Sequence, residues 1–322
     1  MKAIRIHEYG GMERVVVDEI PTPEIADDEV LIRVAAASVN PLDLKLIGGL
    51  IDAYFPLTMP YAVGTDLSGT VVRVGALAQI WKPGDRVIAR LEPGPGLGPA
   101  YSRGGAFAEF AAVPARHVAT APSSQTLAAT AGLPTAAGTA WQALIETAGL
   151  KTGQTVLVHG GAGGVGGFAI QIAKRVGATV IATASANHAP LVRGLGADRV
   201  IDYRDEDFSA SLRDVSVVLD TVGGETQTRS YAVLRSGGWL VSVAAPPDQE
   251  RAKSYGVTAV RVGYQTDGAR LGLISGACDR LGLRVVVDRA FPLANSRDAL
   301  AYSASGHASG KILLVVRDNL GD

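Results

Sequence analysis

The stretch Val156–Lys174, VLVHGGAGGVGGFAIQIAK, sets six glycines between an apolar run and a segment with apolar residues at helical spacing. That order reads as strand, turn, helix. Gly161, Gly163 and Gly166 form G-x-G-x-x-G in this setting, with Gly164 and Val165 inside the same turn. In a dinucleotide-binding unit the first glycine permits the tight turn and the second lets the backbone approach a pyrophosphate. The third lets the helix pack close on its strand, while free N–H groups at the helix start face the phosphates. The pattern alone is weak evidence, but a preceding strand, a following helix and a second strand, TVIATAS, give it its context. A glycine-rich turn that binds nothing would sacrifice stability without return.

Outward from this point the text keeps alternating. TVLVHG and GFAIQIAKRVG are followed by TVIATAS and HAPLVRGLG, RVIDY, SVVLDTV and ETQTRSYAVLR, WLVSVA and VTAVRVG. Apolar strands alternating with amphipathic helices predict a doubly wound parallel sheet covered on both faces. Before about residue 120 the character differs: KAIRI, RVVVDEI, EVLIRVAAASV, LSGTVVRVG, DRVIARL and GAFAEFAAV are strand-like runs separated by Gly, Pro and Asp. The tail returns to strands in RVVVDRAFPL and KILLVVRD. The expected class is therefore α/β, with a mostly-β domain over residues 1–122 completed by 284–322, and a parallel-sheet domain over 123–283.

Composition narrows the function. The 322 residues contain 47% hydrophobic side chains, enough for two cores, and a net charge of -1 disfavours nucleic-acid binding by phosphate neutralisation. Cys278 is the single cysteine, so neither an internal disulfide nor a cysteine-rich metal site is available. Its predicted place is a buried position on a helix. No run reaches the length of a spanning helix and the N-terminus has no signal-like apolar stretch, so a cytoplasmic protein without membrane contact is expected. The five histidines are scattered without i, i+4 pairing, and no nucleophile-elbow motif accompanies them.

The identity of the dinucleotide is read at the end of the second strand, where an NAD-binding unit carries an acid for the ribose 2′-OH. Here Thr183, Ala184 and Ser185 are followed by Ala186, Asn187 and His188. No acid stands there to repel a 2′-phosphate. Ser185 can donate to it, and His188, Arg193 or Arg204 can supply charge; the alternative is a solvated loop that binds nothing. NADPH is the expected cofactor.

Several further segments, ASVNPLDLKLIGG, PYAVGTDLSGTVVRVG, GAFAEFAAVPA, GLPTAAGTAWQAL, GADRVIDYRDEDF, DTVGG and GHASGKILLV, occur in an order that resembles the zinc-independent medium-chain reductases of the quinone oxidoreductase (zeta-crystallin-like) group. The resemblance spans nearly the whole chain. It implies a GroES-like catalytic domain, a Rossmann domain, NADPH held in a cleft between them, and a homodimer. Zinc alcohol dehydrogenases of the wider superfamily carry Cys where Asn40 stands and His-Glu where Thr65-Asp66 stands. A carboxamide and a hydroxyl are poor substitutes for ligands of a catalytic zinc. The loop Glu92–Gly105, in the place of their structural zinc site, has no cysteine. Without a Lewis acid, alcohol oxidation is disfavoured, whereas a quinone or an α,β-unsaturated carbonyl is already electron-poor.

The resemblance also picks out candidate residues, each with a plainer alternative. Asn40 holds the substrate oxygen or the nicotinamide ribose, or is a turn-forming residue before Pro41. Asp43 is expected as a structural partner within the NPLD turn rather than a base. Thr65 touches the substrate or caps a turn. Thr139 contacts the nicotinamide, or is a helix N-cap. Lys311 reaches the cofactor, or solvent. The pocket tyrosine of several relatives is replaced by Lys45 or Leu46, with Tyr54 further on. The expected activity is NADPH-dependent reduction of a quinone or activated enone. Enoyl-thioester reduction and a non-catalytic NADPH-binding role are the alternatives.

Overall fold

Strand-forming text in the first 120 residues becomes antiparallel strands of two sheets, one of three strands and one of seven that the tail completes. The computed structural model describes residues 1–92 and 105–316; most of the cysteine-free loop singled out above thus lies outside the described residues. The chain divides into two compact units, 1–135 with 266–322, and 136–265.

The first unit contains β1 (Lys2–Ile6), β2 (Val15–Glu19), β3 (Glu29–Val39), α1 (Pro41–Ile47), β4 (Tyr61–Ala62), β5 (Asp66–Val74), β6 (Arg86–Arg90), β7 (Phe110–Pro114), β8 (Val118–Thr120) and α2 (Leu127–Thr130). The helix α3 (Pro134–Trp141) spans the change of unit. In the second unit follow β9 (Thr155–Val158), α4 (Gly164–Val176), β10 (Thr179–Ala184), α5 (Ala189–Gly194), β11 (Arg199–Asp202), α6 (Phe208–Ser211), β12 (Val215–Asp220), α7 (Gly224–Ser230), β13 (Leu234–Ser242), α8 (Gln249–Tyr255) and β14 (Thr258–Arg261). The chain then rejoins the first unit as α9 (Gly268–Leu281), β15 (Val287–Pro292), α10 (Ser296–Ala304) and β16 (Lys311–Val315).

The long strand β3 organises the first unit. It pairs with β5 along its length, with two register shifts, while its first half also pairs with β7 and its last residues with β16. Exchange of partners along a bulged strand bends the sheet around a core. Ile4, Ile32, Val34, Leu67, Val87, Phe107 and Val113 belong to that core. The antiparallel register sets Ile312 opposite Val39, which carries Lys311 to the start of α1.

In the second unit the strands run parallel in the order β11-β10-β9-β12-β13-β14. Numbered within the unit this is 3-2-1-4-5-6, the Rossmann order, and ligands bind at the carboxyl ends of the strands where the order reverses. That place is the end of β9, where the glycine-rich turn lies. Leu157, Ile181, Ile201, Val218 and Leu240 form the core of this sheet.

Both unit boundaries fall away from the expected residues 122/123 and 283/284. Ala131 is buried against Ala36 and Leu313, which keeps α2 with the first unit. The Asp279 carboxylate of α9 accepts from Ser123 N at 3.1 Å and Ser124 N at 2.8 Å. A Cβ on Gly268 would lie 2.6 Å from Arg116 O, so α9 begins in close contact with the segment leading into β8. Such tertiary contacts leave no local mark in a helical pattern.

Candidate active site

Gly160, directly before the expected motif, has φ +67° and makes the sharp turn after β9. This corrects the role assigned to Gly161 from sequence. Gly161 instead permits close packing, because a Cβ there would lie 3.0 Å from Ala182 Cβ and 3.2 Å from Ile170 Cδ1. Gly166 brings α4 against the turn: its Cβ would stand 2.2 Å from Gly160 O. At Gly163, which precedes α4, an added Cβ would meet, among the described residues, only Gly160 O within 4 Å, at 3.3 Å. The amides of Gly164, Val165 and Gly166 have, by position, no intrahelical acceptor. An open cradle at a helix start fits a pyrophosphate.

At the end of β10, Ser185 is buried and its Oγ lies 3.2 Å from His188 Nδ1. No acid ends this strand, as read from sequence, but β11 brings in one that the sequence reading missed. Asp202 accepts from Ala186 N at 2.7 Å through Oδ2 and from Arg204 N at 3.0 Å through Oδ1. Its oxygens are thereby occupied in shaping the loop. The exposed Arg204 guanidinium stands 5.7 Å from the Tyr203 ring centroid and has no carboxylate partner among the described residues. Thr139 lies inside α3, not at its N-cap, and is buried.

In the first unit Asn40, Asp43, Thr65 and Lys311 come together, all buried, with Asp66. Asn40 precedes α1 and accepts a capping bond from within its first turn, while its own N–H donates to Asp43 Oδ2 at 2.8 Å. The Asn40 amide is held at both ends. Nδ2 donates to Asp66 Oδ2 at 3.0 Å, with Ser38 O at 3.3 Å and Thr65 Oγ1 at 3.4 Å. Oδ1 accepts from Lys311 Nζ at 2.7 Å, and Lys311 also donates to Val39 O at 3.3 Å. Asp66 accepts in addition from Thr135 N and Thr135 Oγ1, at 3.1 and 2.6 Å, and Arg90 Nε donates to Thr135 Oγ1 at 3.0 Å. The result is a continuous hydrogen-bonded chain from Lys311 through Asn40, Asp66 and the half-buried Thr135 to Arg90.

Charge follows from burial. Desolvation pushes the Asp43 carboxyl up to about 7, the Asn40 amide opposes it, and the neighbouring Asp66 charge adds to it. Asp43 Oδ1 has no hydrogen-bond partner among the described residues. Burial also lowers the Lys311 ammonium below the ordinary lysine range, against the pull of Asp66 and Asp43. Tyr54 stands apart, 80% exposed, with no hydrogen bond to this cluster among the described residues. Cys278 is buried as expected, and desolvation raises its thiol to about 12.

Two family descriptions match the chain: an alcohol dehydrogenase GroES-like domain over residues 26–123 and a zinc-binding dehydrogenase domain over 195–314. The chain is similar, at 35% identity over 98% of its length and 79% of the relative's, to an NADPH-dependent alkenal/one oxidoreductase of Arabidopsis thaliana chloroplasts. A chloroplast envelope quinone oxidoreductase homolog of the same plant is 31% identical over 98% of both chains. The chain belongs to the medium-chain dehydrogenase/reductase family. Among solved structures of this family, the Coxiella burnetii quinone oxidoreductase superposes with TM-score 0.87 at 32% identity, covering 98% of this chain and 99% of that one. The Escherichia coli quinone oxidoreductase complexed with NADPH gives 0.86 at 26% identity, covering 98% and 100%.

For a member of this family the first-unit cluster makes a poor zinc site. Its carboxamide oxygen is occupied by an ammonium 2.7 Å away, and both Asp66 oxygens already accept hydrogen bonds. No group of three or more His, Cys, Asp or Glu side chains is suited to a metal among the described residues. Arg90 and Thr135 were not singled out from sequence. The second arginine of β6, directly after the apolar run Val87–Ala89, was the available signal, since a buried guanidinium requires partners.

Proposed function

We propose that this chain is an NADPH-dependent reductase that delivers hydride to a quinone or an activated α,β-unsaturated carbonyl without a metal ion. The carrying observation is the Lys311–Asn40–Asp66 chain: Asn40, which stands where the resemblance puts a zinc-ligating Cys of alcohol dehydrogenases, has its amide tied to the Lys311 ammonium and the Asp66 carboxylate. An alcohol must lose a proton as hydride departs, and an amide strut offers no Lewis acid to assist this. A quinone or enone accepts hydride into a delocalised system.

The chain's residues divide the work. Gly160, Gly163 and the amides of Gly164, Val165 and Gly166 bind the pyrophosphate, and Gly161 lets the turn sit against the sheet. Ser185, His188 and Arg204 receive the 2′-phosphate, and Thr139 borders the nicotinamide. When bound, NADPH supplies the hydride. Asn40 acts as a strut between Asp66 and Lys311 rather than as a free donor to substrate. Lys311 has one N–H with no acceptor among the described residues. With that N–H and its charge it is the group of this cluster suited to stabilising negative charge on the acceptor oxygen. Thr65 and Asp43 fix Asn40, and the single proton that completes the reduced product after hydride transfer comes from water. Tyr54, on the exposed turn after α1, is assigned no chemical step.

A homodimer is what the resemblance favours, and a cytoplasmic setting is what the sequence pattern favours; no helix among the described residues is long and apolar enough to cross a membrane. The test is NADPH oxidation with quinones, short enones and enoyl thioesters, alongside NADP⁺ reduction with simple alcohols. Turnover with quinones or enones is expected. Efficient alcohol oxidation with both of those acceptors inert would overturn the proposal.

A further inference from the structure

His159 lies between β9 and the phosphate turn, is fully buried, and has no part in the chemistry described above. Its hydrogen bonds permit every proton around it to be assigned. Ser230 Oγ donates to Thr226 O at 2.7 Å, and a hydroxyl has one hydrogen. At 2.9 Å from His159 Nε2, that same oxygen must therefore be the acceptor, and Nε2 carries the proton. Burial keeps the ring neutral, lowering its pKa to about 4, so Nδ1 is bare. Nδ1 lies 3.2 Å from Thr183 Oγ1, whose hydrogen must then point at the ring. The lone pairs of Thr183 Oγ1 are left for Gly160 N–H, which donates to it at 3.2 Å.

The polarity thus runs one way, from Gly160 N–H through Thr183 and His159 to Ser230 and Thr226 O. Two further bonds brace the same corner: Gly161 N donates to Thr183 O at 2.9 Å, and Thr221 Oγ1 donates to His159 O at 2.8 Å. The ring is wedged edge-on against Phe208, with centroids 4.6 Å apart. We propose that His159, locked as the Nε2–H tautomer, is a positioning residue for the phosphate turn, orienting the Thr183 hydroxyl so that it holds the Gly160 amide. Gly160 is the residue with positive φ, so its amide plane sets the path of the turn and the aim of the N–H groups after it.

The inference rests on the reading that this turn binds NADPH, and the experiment separates the two. In His159→Asn the amide oxygen takes the place of Nδ1 and still accepts from Thr183. In His159→Gln the amide nitrogen takes the place of Nε2 and serves only Ser230. NADPH titration of the full chain should give His159→Asn an affinity close to wild type, whereas His159→Gln and Thr183→Val weaken it about tenfold. At saturating NADPH kcat should stay unchanged in all three. A structural role alone would instead lower the melting temperature of both His159 variants without separating their affinities, and that result refutes the proposal. Nitrogen-15 NMR of the ring in the cofactor-free protein reads the tautomer directly. A protonated Nε2 with a bare Nδ1 is expected; the reverse overturns the assignment even if NADPH does not bind at all.

Discussion

Asp43 makes stability depend on pH in a direction opposite to that of most carboxylates. Its side chain is wholly buried, Oδ2 accepts from Asn40 N at 2.8 Å, and Oδ1 has no partner among the described residues. Desolvation leads the causes that raise its carboxyl from 3.8 to about 7. Between those two values the folded chain binds more protons than the unfolded one. The contribution to stability is therefore complete below pH 3.8 and is lost as pH rises through about 7. At about 1.4 kcal/mol per unit the whole effect is about 4 kcal/mol, of which roughly 2.5–3 kcal/mol falls between pH 5 and pH 8. Asp43→Asn removes the titration while leaving an oxygen to accept from Asn40. Urea unfolding of both proteins at pH 5 and pH 8 isolates the effect, because other titrating groups cancel in the difference. Wild type should lose about 2.5–3 kcal/mol more than the variant over that interval. Parallel pH profiles, or a wild type that gains on the variant as pH rises, would show that Asp43 is ionised in the folded protein and refute the reasoning.

Four other expectations concern the cofactor, the packing of its turn and the metal. Ser185→Asp should shift preference from NADPH toward NADH, read by equilibrium titration, because it restores a carboxylate where β10 ends; an unchanged ratio refutes it. Gly163→Val should leave circular dichroism unaltered but weaken NADPH binding about a hundredfold, the equivalent of roughly 3 kcal/mol in lost backbone contacts. Gly166→Ala should instead lower the melting temperature, since its Cβ would lie 2.2 Å from Gly160 O, so an unchanged melting curve counts against the close packing. Chelation and dialysis should leave NADPH turnover intact with no stoichiometric zinc by elemental analysis; activity that returns only with zinc refutes the metal-free reading.

What the sequence alone determined was local. The change of period around VLVHGGAGGVGG specifies strand, turn and helix over neighbouring residues, and alternating strands and helices imply a parallel sheet. The missing acid after β10 was visible for the same reason, since it lies next in the chain. The tertiary structure decided what depends on distant partners. Lys311 reaches Asn40 across 271 positions because β16 pairs with β3 in one register, and only that pairing turns the Asn40 amide into a strut. Asp202 enters from β11, Arg90 and Thr135 from separate elements, and α9 from beyond the Rossmann sheet. Even within the turn, the choice of Gly160 over Gly161 for the positive φ depended on β10, whose Thr183 holds the amides of both glycines. A backbone torsion and a hydrogen's direction are settled by what packs against them, and composition and spacing carry no record of that.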